Sequence, residues 1–247
     1  MCHDISANLI ADLIFSIGVL IIGSLILYLT RKKGLFTFFG LKGSRSLTVY
    51  LSTLFIPRDT AAGFDGTIRS YEGIAVLNNE QMLAGWFHGL FNFPLPSLAE
   101  SYGIFRKLFV SDALIKVQAS PITRSYSDVS EDRGTLVSVG SHGYNSITSW
   151  MQNHLVIRTK FADDGNSMSI DGITVIHDGS NGVIEKHIDA NGRTYFLVGG
   201  ISEIATLSAL YLLISKWKVL RSKHGMKPFV QLIRAGNRGW ADATFVN

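Results

Sequence analysis

Two stretches of this chain run from strand through glycine turn into helix: TLVSVGSHGYNSIT (135–148) and TYFLVGGISEIAT (194–206). In each, an apolar run ends in glycine and a second small residue, and five or six residues separate that pair from a threonine. Strands that feed helices in this way cannot build a sandwich or a bundle. They point to a parallel sheet covered by helices.

The rest of the chain fits that class. LTVYLSTLFI (47–56), DALIKVQASP (112–121) and PFVQLIRAG (228–236) read as strands. NEQMLAGWFHGLF (79–91) reads as a helix with Met82, Trp86 and Phe87 on one face. ISEIATLSALYLLISKWKVL (201–220) reads as a single long core helix. Between residues 155 and 199, short strands alternate with the turn signals DDGN, DG, DGSNG and DANG, which predicts an antiparallel meander. The expected fold is therefore an α/β, Rossmann-like domain with a mixed sheet.

At the other end, Leu13 to Leu29 carries no charge and is followed by Arg31, Lys32 and Lys33. The run is at the short end of the length for a membrane span. A signal peptide is the competing reading, but MCHDISAN has no Lys or Arg and no Ala-x-Ala motif follows. The expected organisation is a short extracytoplasmic tail (1–8), a single-pass transmembrane helix (9–30), a basic juxtamembrane linker (31–46) and a cytosolic α/β domain (47–247). The positive-inside rule puts the N-terminus outside the cell membrane. Ser16, Gly23 and Thr30 recur every seven residues after Asp12, a seam suited to homo-oligomer formation within the bilayer.

Charge excludes one class. Outside residues 1–43, 19 Lys and Arg face 17 Asp and Glu, so there is no nucleic-acid footprint. The basic run KWKVLRSKHGMK (216–227) reads as the cationic end of a helix stopped by Gly225, with contact to anionic lipid as the alternative. Cys2 is the sole cysteine and no histidine pair has metal-ligand spacing, so neither a disulfide nor a metal is expected. No cofactor is evident.

The site candidates come from the two turns. Glycine lets backbone approach a ligand, and a helix start presents free N–H groups. In open α/β sheets, ligands sit at the carboxyl ends of strands. The ligand-binding candidates are Gly140, Ser141, Asn145, Ser146, Thr148, Gly199 and Gly200, with Arg234 at the end of the last expected strand as a phosphate partner. Asn145 or Ser146 serves equally as a plain N-cap. Glu203 repels an anion but suits a ribose hydroxyl or acid–base work, so it is the catalytic candidate. A dipole-complementing glutamate is its simpler reading. His142, Arg58 and Asp59 are weaker candidates at the same edge.

An apolar anchor ahead of a strand–turn–helix domain bearing VGSHGYNSIT and LVGGISEIAT resembles the Rossmannoid sensor and effector domains of prokaryotic nucleotide-signalling and antiphage (antiviral defence) systems. That resemblance implies strand-end loops that bind nucleotides or NAD-like ligands. The leading expectation is a membrane-anchored receptor for a nucleotide-like small molecule. The alternatives are an enzyme acting on the N-glycosidic bond of a nucleoside or NAD-like substrate, and a tethered scaffold without a ligand.

Overall fold

In a computed structural model, the residues described are 15–20, 22–23, 30, 32–41, 46–52, 54–55, 68–71, 74–91, 114–119, 129, 134–163, 166–237 and 239–246. The main sheet has seven strands in the order β13-β12-β10-β11-β6-β1-β5. Its parallel half consists of β5 (Leu114–Ala119), β1 (Ser46–Leu51), β6 (Thr135–Val139) and β11 (Thr194–Gly200). Its antiparallel half adds β10 (Asn181–Ile188), β12 (Phe229–Gly236) and β13 (Gly239–Phe245). The expected α/β mixed sheet is therefore present.

Alternation along the strands supplies two cores. Val49, Val137, Val139, Phe196 and Val198 face one layer, formed by α2 (Asn78–Phe91), α4 (Glu203–Ser215) and α5 (Trp217–His224). Tyr50, Leu136, Tyr195 and Leu197 face the other, with Ile147, Trp150 and Met151 of α3 (Ser146–His154). Buried on both faces, these strands read as nearly continuous apolar runs.

Among the described residues, no helix is long and apolar enough to cross a membrane. This overturns the expected transmembrane helix over 9–30 and the single-pass cell-membrane location built on it. Residues 15–20, 22–23 and 30 are helical. The rest of that stretch, with Asp12, Cys2 and the expected tail 1–8, lies outside the described residues, as do Arg58 and Asp59.

The expected linker 31–46 is also corrected. Residues 32–38 form a helix, α1, and Leu35, Phe38, Phe39 and Leu41 are buried in the main core. Phe39 packs on Phe87, Phe91 and Phe196 with ring centroids 5.8, 5.2 and 5.1 Å away. The Lys32 ammonium stands 5.7 Å from the Phe36 ring centroid. Aromatic residues after an apolar run lose water contact as well against a sheet as against lipid, and here the sheet takes them. Lys186 Nζ fastens the segment, donating to Phe38 O at 2.7 Å and to Met226 O at 3.2 Å.

Other boundaries differ too. The run 47–56 divides into β1 and β2 (Leu54–Phe55), and β2 joins β4 (Ile74–Leu77) and β3 (Ile68–Tyr71) in a small sheet. The meander is split. β7 (Thr159–Phe161), β8 (Met168–Ile170) and β9 (Thr174–Ile176) form a separate antiparallel sheet, while β10 and β11 enter the main one. The helix expected over 201–220 breaks at Lys216 into α4 and α5. On α2 the buried face is Leu83, Ala84, Phe87 and Phe91, leaving Met82 and Trp86 exposed.

Candidate functional site

The strand order reverses at β1. From β1 the chain crosses to β5 on one side, then returns to β6 on the other. In open α/β sheets such a switch point leaves a crevice outside the strand carboxyl ends. A cavity of about 270 Å³ opens there. Ser52 follows β1, Gly140, Ser141 and Tyr144 follow β6, Gly200 ends β11, and Ile201, Ser202, Glu203 and Thr206 come after it; all of them line it, with Glu80 from the first turn of α2.

The two glycine turns thus converge on one space. Gly140 has φ +106°, a conformation side chains rarely adopt, and a Cβ there would collide with Ser52 Oγ. A Cβ on Gly200 would lie 2.8 Å from the Ala205 backbone carbon and from Thr206 N. Glycine at these positions lets β6 approach β1 and lets β11 turn directly into α4.

The remaining sequence candidates separate from the cavity. Asn145 is buried and its side chain is saturated. Its Nδ2 donates to Tyr50 O at 2.9 Å and Val139 O at 2.8 Å, and its Oδ1 accepts from the N–H groups of Ile147 and Thr148. It is the N-cap of α3 and the clasp between β1 and β6. Thr148 Oγ1 donates to Gly140 O at 2.9 Å and lies 2.7 Å from Ser138 Oγ. Ser146 starts α3 without lining the cavity. Gly199 packs its backbone against the Phe161 ring. Arg234 stands exposed on β12, opposite Asn181 and two strands from β11. His142 Nε2 lies 3.3 Å from Asp163 Oδ1, off the cavity.

Sequence reasoning passed over Glu80, Ser52, Tyr144 and Thr206. Glu80 is 1% exposed. The Ser52 N–H donates to its Oε2 at 3.1 Å. Burial pushes the carboxyl up to about 8, opposed by the hydrogen bonding from Ser52 and assisted by the charge of Glu203. At neutral pH Glu80 is therefore a neutral acid with an O–H in the cavity wall. The readable signal was its register: Glu80, Leu83, Ala84, Phe87 and Phe91 follow helical spacing, so a lone acid sits on the buried stripe.

The electrostatics are distinctive. No Lys, Arg or His is among the described lining residues, which include two carboxyl groups and five hydroxyl-bearing side chains. The helix starts are also occupied. Asn145 caps α3, and Ser202 Oγ accepts from Ala205 N at 3.2 Å at the start of α4. Such a wall suits a hydroxyl-rich ligand better than a phosphate. Tyr144, 52% exposed, adds an aromatic side chain to the lining. Among the described residues no cluster of three or more His, Cys, Asp and Glu is placed to hold a metal ion.

Comparison of the chain with protein-family models, curated proteins and solved structures finds no match.

Proposed function

We propose that this chain is a small-molecule receptor whose switch-point cavity takes a nucleotide-like ligand by its nucleoside part. The observation that carries this reading is the convergence of both glycine turns, Ser52 and Glu80 on one cavity at the carboxyl ends of β1, β6 and β11. Its volume, about 270 Å³, is near the lower end of the usual ligand-pocket range of about 300–1,000 Å³. That suits a single sugar and base rather than a dinucleotide. The sugar hydroxyls meet Glu203, Ser141 and Ser52, and the base stacks on Tyr144.

The test is calorimetric titration of the full chain with adenosine and with ribose, beside a Ser141→Phe variant that fills the cavity. The reading expects adenosine binding by the native protein and its loss in a folded Ser141→Phe protein. Heat of binding that is equal in both, or absent from the native protein, contradicts it.

A further inference from the structure

Resting on that reading of the cavity as a nucleoside site, we propose that the chain hydrolyses the N-glycosidic bond of neutral nucleosides, with Glu80 as the acid toward the leaving base and Glu203 as the carboxylate facing the sugar.

Glu80 and Glu203 supply the two carboxyls of the cavity. Both line the same cavity but stand in opposite environments: Glu80 is buried beside the Ser52 N–H, and Glu203 is exposed in the first turn of α4. Opposite environments give two carboxyls opposite roles, one a proton donor and one a charge stabiliser. Glu80 carries its proton near neutrality because it is buried. Glu203 is the other carboxyl of the lining, and its charge favours that proton; among the described lining residues there is no cation to oppose it. A receptor of hydroxyl groups needs neither a buried acid nor a neighbouring carboxylate that keeps it protonated.

The step balances with water as co-reactant. The C1–N bond breaks and its electron pair leaves with the base, which takes the Glu80 proton. Positive charge develops across C1 and the ring oxygen of the sugar, and the Glu203 carboxylate faces it. Water adds to C1 and gives its proton to the Glu80 carboxylate, restoring the acid. The products are the free base and the free sugar. An acid is needed because a neutral purine leaves poorly as an anion.

That need separates Glu80 from a structural role. The experiment compares inosine with p-nitrophenyl β-D-ribofuranoside, whose phenolate leaves without a proton, in the native protein, Glu80→Gln and Glu203→Gln. Glu80→Gln should lower kcat on inosine by about 10²–10⁴-fold and leave the activated riboside nearly unchanged. Glu203→Gln should lower both. Native turnover of inosine should fall above about pH 8, where Glu80 loses its proton, while turnover of the activated riboside should not. Adenosine binding that persists with no turnover of either substrate overturns the hydrolase and leaves the receptor reading standing. Loss of binding in the native protein overturns both. Equal losses on the two substrates in Glu80→Gln, or, if that variant does not fold, native pH profiles that coincide for the two, overturn the acid role of Glu80.

Discussion

The backbone N–H of Ser52, one residue past β1, donates to the buried carboxyl of Glu80 at 3.1 Å. This bond joins the end of β1 to the start of α2, and it holds a neutral acid at the point where the strand order reverses. The sign of its pH linkage follows. The folded value, about 8, lies above the ordinary 4.5. Below 4.5 both states hold the proton and nothing is lost. Between 4.5 and 8 the unfolded chain gives up its proton while the folded one keeps it, so stability falls as pH rises through that window.

Glu80→Gln keeps an acceptor for Ser52 and removes the ionisation. It should stabilise the protein at pH 7 by about 1–3 kcal/mol and flatten the dependence between pH 4.5 and 8. Denaturant melts at several pH values read this directly. A variant no more stable than native at pH 7, with the slope retained, would show that Glu80 is not the neutral group.

Asn145→Ala should destabilise the fold by about 1–3 kcal/mol, since it removes a helix cap and takes one donor from each of two buried carbonyls, Tyr50 O and Val139 O, the second of which still accepts from Ser52 Oγ. Adenosine affinity in the folded fraction should hardly change, because Asn145 faces the β1–β6 clasp rather than the cavity. Urea melts and calorimetry together separate the two effects.

Phe39→Ala should cost about 3–5 kcal/mol. The ring is fully buried among Phe38, Phe87, Phe91 and Phe196, and the Phe39 carbonyl accepts from Thr135 Oγ1 at 2.6 Å. A segment outside the domain would tolerate the change without a shift in the melting midpoint.

Adenosine should bind more tightly than adenosine monophosphate. The phosphate would face the charge of Glu203 and two helix starts already capped by Asn145 and Ser202. Competition calorimetry decides it, and tighter binding of the monophosphate would relocate the site toward a cation.

The sheet was legible because strands buried on both faces print long apolar runs, and the two glycine turns marked strand ends that converge. Three things were not. The run ending at Leu29 satisfies length and apolarity in sequence alone, but whether the aromatics after it meet lipid or a sheet depends on partners distant in the chain. The face of α2 was misphased because Trp86 and Met82 outweigh Leu83 and Ala84 in bulk, whereas register decides burial. Asn145 and Thr148 looked like ligand groups because turn polarity is the same whether it meets a ligand or its own backbone.

The most direct test of the central claim is the map of backbone amide shifts on titrating the full chain with adenosine. The account predicts that the perturbed amides cluster at Ser52, Gly140, Ser141 and Gly200 to Thr206, on the edge where both glycine turns meet. Perturbations confined to the groove beside Lys223, His224 and Gln231, or no perturbation at saturating adenosine, would contradict it.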